Sequence, residues 1–123
     1  MKIGKLVFFV SAITLLSISL AFAGVLEGKK LFEDPKFAGS TNEKSCNSCH
    51  PGGSGLQKAG EKTSFTIMGK QKDSLEDTVN LCIQMALKGK SISKDSQKMK
   101  DIVSYVKSLK GKKIKKKRVI TGC

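Results

Sequence analysis

The sequence predicts an all-α fold, and three observations predict it. Residues 75–86 and 99–109 carry apolar side chains at helical spacing. Each stretch opens near a Ser or Asp suited to helix capping and is followed by a glycine. The alternating strands of an α/β fold are absent.

Taken in order, the first stretch stands apart from that fold. Lys2 and Lys5 supply a positive start, Leu6 to Leu20 is apolar apart from Ser and Thr, and Ala21-Phe22-Ala23 has the small-x-small pattern of a cleavage site. The apolar run is short for a membrane span of about 20 residues. Residues 1–23 are therefore expected to be a cleaved signal peptide, with Gly24 as the first mature residue and the periplasm or a similar exported location as the destination. No Cys follows the apolar run to carry a lipid anchor.

Val25 to Phe32 forms a short helix in this reading, ended by Asp34-Pro35 because the residue before Pro avoids the α region. Residues 39–42 are loop. Cys46-Asn47-Ser48-Cys49-His50 begins a turn of helix, and Pro51 to Gly55 is a loop of breaker residues. Residues 56–72 are weakly patterned, with a small apolar group at Phe65, Ile67 and Met68. Asp73 or Ser74 caps a strong helix, where Ser74 and Asp77 resemble a capping box. Its apolar stripe is Leu75, Val79, Cys82, Ile83 and Ala86, and Gly89 closes it. The last helix starts near Asp95 or Ser96 and buries Met99, Ile102, Val103, Val106 and Leu109, with Tyr105 beside them, before Gly111. The domain is thus expected over 24–111. Residues 112–123 form a mobile basic tail, with too much like charge to fold alone.

The chain carries a net charge of +13, unevenly placed. The acidic residues all fall between Glu27 and Asp101, whereas Lys107 to Arg118 is basic without an acidic residue. A Lys-rich end is commonly only a solvated face. Its functional readings are contact with anionic lipid headgroups or with an acidic partner. The exported location disfavours nucleic acid despite the charge.

A mature domain this small, without Trp, buries a marginal core and needs a supplement. Cys46-x-x-Cys49-His50 supplies the candidate: it is the attachment motif of haem c. Two residues between the thiols let both sulfurs reach the vinyl groups on one porphyrin edge, and the adjacent His50 reaches the iron. Two rivals share these residues. A CxxC redox pair belongs with alternating strands, which are absent. A zinc site needs four ligands, and Cys46, Cys49, His50 and Cys82 would make one such set, His50 being the only His.

The arrangement resembles the class I cytochrome c family over most of the mature chain. Gly28 and Phe32 (GKKLF) match the family's N-terminal helix, and Tyr105 (IVSYVKSL) matches the aromatic of its last helix. The resemblance implies a cytochrome c-like helical domain wrapped around one covalent haem, with the two terminal helices crossing at these residues. It also implies His50 as proximal ligand and usually a Met as the ligand opposite. Met99 lies within the last helix and is expected in the core. Met68 comes early for that ligand, and Met85 lacks the usual following Pro.

Cys82 competes with them. The segment from Ser74 to Leu109 is similar to the first haem domain of thiosulfate dehydrogenases and to SoxA-type sulfur-oxidising cytochromes, whose Asn-x-Cys implies a thiolate on the iron. Asn80-Leu81-Cys82 matches it, as do Gly89-Lys90, Ser96 and Met99. Cys82 as a buried thiol, or in a disulfide with Cys123, are the plainer readings. The ligand sets the potential, because a thioether favours Fe(II) and a thiolate Fe(III). Cys82 and Met85 are three residues apart on a helix, so an exchange between them is conceivable.

These observations lead to a single-electron carrier that docks on redox partners with acidic surfaces. The alternatives are a haem subunit or enzyme of thiosulfate oxidation with Cys82 at the iron, and a haem-based gas sensor. Against an enzyme stand the single CxxCH and the lack of a general base, His50 being committed to iron.

Overall fold

The computed structural model describes residues 22–115. The expected leader, apart from Phe22 and Ala23, and the end of the basic tail with Cys123 lie outside the described residues.

Residues 22–33 form helix α1, which starts before the expected Val25 and stops ahead of Pro35. Cys46–Cys49 is a single helical turn, α2. Strands β1 (Phe65–Ile67) and β2 (Lys70–Lys72) follow, then helices α3 (Leu75–Met85) and α4 (Gln97–Ser108). Short 3-10 turns fill the connections.

The all-α expectation is corrected here: the fold is mixed, about half helical with a small antiparallel sheet. Phe65 pairs with Lys72 and Ile67 with Lys70 across the two-residue turn Met68-Gly69. Both turn residues have positive φ, 52° and 75°, the backbone of a tight hairpin whose twist matches its strands. Two features hid it from the sequence. Three residues per strand are too few for a period-two signal, and Met replaces the Asn or Asp that usually announces such a turn.

Both long helices begin where capping predicts. Ser74 accepts a hydrogen bond from the Asp77 amide at 3.1 Å, and Ser96 accepts one from the Met99 amide at 3.2 Å. The end of α3 differs from expectation. It stops at Met85, and Lys88, at φ 55°, takes the left-handed position expected of Gly89. Gly89 is needed for space instead, since a Cβ there would stand 2.8 Å from the Ala38 carbonyl oxygen.

α1 and α4 cross at Gly28. A Cβ on Gly28 would overlap the Asp101 carbonyl and lie 2.9 Å from Tyr105 Cβ, so only glycine permits this approach. One turn on, the Phe32 and Tyr105 rings pack with centroids 5.0 Å apart and planes tilted by 59°, a favourable aromatic geometry. Phe32, Ile83, Leu87, Met99, Ile102 and Leu109 are fully buried around this crossing. Met99 therefore belongs to the core, as the sequence suggests. Among the described residues no helix is long and apolar enough to cross a membrane.

Candidate cofactor site

A cavity of about 470 Å³ lies between the crossed helices, α3 and the hairpin. Its volume falls in the ordinary range for small-molecule sites of about 300–1,000 Å³. Phe32, Leu56, Phe65, Val79, Ile102 and Val106 contribute to a largely apolar wall. Exposed Lys58 and Lys62 also line it.

One side of the cavity is built by α2. Ser45 is extended and caps the turn, donating its amide to Ser48 Oγ at 3.0 Å. A helical turn places positions i and i+3 on one face, and Cys46 and Cys49 both line the cavity. His50 leaves the helix at φ −122°, ψ 67° and lines it too. The loop after it folds back: the Gly53 amide donates to the His50 carbonyl at 2.8 Å, and the Gly52 amide donates to Asn47 Oδ1 at 2.8 Å.

That fold-back orients the imidazole. His50 Nδ1 lies 3.0 Å from the Ser54 carbonyl oxygen. A carbonyl only accepts, so Nδ1 carries the proton and donates, and Nε2 keeps the lone pair that a metal needs. A backbone partner of this kind fixes tautomer and ring orientation in metal-ligating histidines. The Pro-Gly-Gly-Ser-Gly run, legible in sequence only as a loop, thus has a specific task.

α3 contributes a second set of lining residues. Leu75, Val79, Cys82 and Ala86 run down one face at spacings of four, three and four, and all line the cavity while only half-buried. All of the expected apolar stripe except Ile83 thus fronts the cavity. Its other face enters the protein through Leu81 and Ile83.

The structure separates the candidate ligands. Cys82 lines the cavity and is a free thiol, which removes its disulfide reading. Met68 lines the cavity edge from the hairpin tip, half exposed. Met85 is 40% exposed and contributes nothing to the cavity lining, and a Cys82–Met85 exchange loses its support. The reason is angular: at about 100° per residue, Met85 points roughly 90° away from the centre of the stripe formed by Leu75, Val79, Cys82 and Ala86.

Burial pushes the Cys46 thiol up to about 12, and the Coulombic influence of Cys82 adds to the rise. Burial raises the Cys82 thiol as well. Both are therefore protonated near neutral pH until a metal or other electrophile changes the local electrostatics. Cys49 is disulfide-bonded in this structure, so attaching a group through it first requires its reduction. Among the described residues no three His, Cys, Asp or Glu side chains converge to hold a metal ion. Cys46, Cys49, His50 and Cys82 line one cavity without forming the tetrahedral cluster a zinc site requires.

Asn80 is held elsewhere. Its side chain donates to the Ile92 carbonyl and accepts from the Ile92 amide, both at 2.9 Å. This bidentate clasp ties the segment after α3 to the helix that carries Cys82. At the other end of α3, Asn42 Nδ2 donates to the Ala86 carbonyl at 2.6 Å and Ser40 Oγ to the Leu87 carbonyl at 2.9 Å. Lys58, Lys62 and the Ser54 carbonyl were not singled out from the sequence, since neither surface lysines nor backbone acceptors leave a pattern.

Comparison with protein family models, with curated proteins and with solved structures finds no match for this chain.

Proposed function

We propose that this chain is an exported monohaem c-type cytochrome that transfers single electrons. The observation that carries the proposal is the meeting of two elements on one apolar cavity. Cys46, Cys49 and His50 come from α2 and the residue after it, and Cys82 from α3. The residues suit the group: two cysteine sulfurs one helical turn apart for attachment once Cys49 is reduced, an imidazole whose Nδ1 is already engaged, and an apolar enclosure for the macrocycle. When bound, haem supplies a reversible one-electron couple at its iron.

The remaining work belongs to the chain. Cys46 and Cys49, the latter once reduced, would hold the cofactor covalently and prevent its exchange with the medium. His50 would hold the iron through Nε2, while the Ser54 carbonyl, 3.0 Å from Nδ1, prevents the ring from turning. Phe32, Phe65 and Ile102 exclude water. Lys58 and Lys62, exposed among the lining residues, would pair with anionic groups of the cofactor. The basic surface steers the protein to redox partners with acidic patches, and the Lys-rich tail adds to that attraction or to binding at an anionic membrane.

A second reading has its own support. Cys82, rather than Met85, shares the cavity with His50. A thiolate there lowers the potential and fits a haem subunit or enzyme of thiosulfate oxidation.

One experiment tests both. The full chain is exported in a host with haem-attachment machinery, and its mass, visible spectrum and ferric EPR are recorded. The proposal expects one covalent haem, lost in Cys46→Ala/Cys49→Ala, and Met85→Leu spectra identical to wild type. Export without covalent haem would sink the cytochrome reading. A low-spin thiolate signature that disappears in Cys82→Ala supports the sulfur-linked reading, and thiosulfate-dependent reduction at catalytic rates replaces the carrier with an enzyme. A far-red Met–iron band persisting in Cys82→Ala assigns Met68 and removes that reading.

A further inference from the structure

Asp101 is a buried carboxylate without a cation. It is 7% exposed at the crossing of α1 and α4. Its Oδ1 accepts one hydrogen bond, from Gln97 Nε2 at 2.8 Å. The ion pairs of the described residues, Lys29–Glu33, Lys30–Glu27, Lys94–Asp77 and Lys110–Glu61, leave it out. Glu27 on α1 and Lys100 on α4 are both exposed, and Glu27 is engaged by Lys30. A carboxylate withdrawn this far from water ordinarily has a positive partner.

Gly24 of the facing helix lies beside Asp101. A Cβ built on Gly24 would stand 3.3 Å from Asp101 Oδ1 and 4.0 Å from Ser104 Oγ. Gly24 has no Cβ, so that position is vacant. It is also the residue expected to begin the mature chain after cleavage at Ala23.

We infer that removal of the leader creates an ion pair between the new α-ammonium of Gly24 and Asp101. The inference rests on the reading of residues 1–23 as a leader. Hydrolysis of the Ala23–Gly24 bond consumes one water, leaves a carboxylate on Ala23 and frees an amine on Gly24, which takes up a proton near neutral pH. The nitrogen is then held only through its own Cα. Rotation about the Cα–C bond by about 120°, one staggered position, carries it into the vacant Cβ site. The backbone loses nothing by this, because the first amides of a helix have no intrahelical acceptor. An ammonium at a helix N-terminus opposes the helix dipole, and Asp101 offsets that opposition. Processing thereby fastens the start of α1 to α4 at the same crossing that Gly28 makes possible, and the unprocessed chain lacks this fastening.

The test starts with the exported holoprotein. Its N-terminal sequence is expected to begin at Gly24; another first residue overturns the inference and leaves the haem reading untouched. The α-amine pKa is then measured by competitive acetylation in wild type, in Asp101→Asn and in a chain with Ala23 retained. An amine paired with Asp101 titrates above the ordinary range of about 7.7–8.0, and Asp101→Asn returns it to that range. Raised in the folded state, the amine contributes stability present below its unfolded pKa and lost as pH rises through its folded pKa. Retaining Ala23 is expected to shift the unfolding equilibrium about tenfold or more toward the unfolded state, as for a lost hydrogen bond to a charged group. The same extension is neutral in Asp101→Asn. Equal amine pKa values in wild type and the Ala23-retaining chain overturn the inference, and that comparison does not depend on Asp101→Asn folding.

Discussion

Gly28→Ala separates the two helices on which the whole site depends. The added methyl would overlap the Asp101 carbonyl oxygen, lie 2.5 Å from its carbon and 2.9 Å from Tyr105 Cβ. The first two are backbone atoms of a packed helix and cannot rotate aside, so α1 and α4 must move apart by the better part of an ångström or more. Overpacking of this kind costs about 1–3 kcal/mol. The Phe32–Tyr105 pair, at 5.0 Å between centroids, loosens as well, for about 0.5–1.5 kcal/mol. Against this, Ala is the better helix former by about 0.8–1.0 kcal/mol. The balance is a net loss of about 1–3 kcal/mol. For a domain of this size that lowers Tm by roughly 4–8 °C per kcal/mol. Thermal unfolding followed by far-UV circular dichroism on the haem-loaded protein measures it, with exposed Lys29→Ala as a control that stays within about 0.5 kcal/mol of wild type. An unchanged or higher Tm in Gly28→Ala would refute the crossing geometry.

Asn80→Ala removes both hydrogen bonds to Ile92 and leaves two backbone groups to find other partners, costing about 1–3 kcal/mol. Amide exchange at Ile92 is expected to accelerate together with the fall in stability; an iron-centred role for Asn80 would instead change the haem spectrum and leave Ile92 protected. In the folded chain without haem, Cys46 and Cys82 are expected to react slowly with iodoacetamide at pH 8, because burial holds both thiols protonated. Raised thiol values mean that reactivity climbs with pH, and for Cys46 only toward about pH 12, so alkylation of Cys46 at pH 8 as fast as in the urea-unfolded chain would show that its burial is wrong.

The sequence carried the parts governed by local physics. Ser74 and Ser96 cap their helices because a hydroxyl at that position answers an orphan amide within three residues. Buried Met99, Ile102, Val103, Val106 and Leu109 follow from a 3.6-residue period. The grouping of Cys46, Cys49 and His50 needs only one turn of chain. The hairpin did not show, because three-residue strands with Met68 at positive φ lack any periodic or turn signal. Asp101 was invisible for another reason: its burial comes from α1 lying across α4, and nothing in the four residues on either side of it reports that.

What the sequence determined by itself is therefore the CxxCH grouping, the helices and the charge, each written in spacings of a few residues. The side of α3 that faces the motif was left to the tertiary structure. The sequence offered both Cys82 and Met85, and only Cys82 lines the cavity at the angle at which the helix is laid against its neighbours. That angle is set by the clasp of Asn80 on Ile92 and by Asn42 and Ser40 on the end of α3, contacts spanning 12 to 47 residues of chain. Long-range hydrogen bonds of this kind decide orientation without leaving a local pattern, which is why the α3 residues that line the cavity had to be read from the fold.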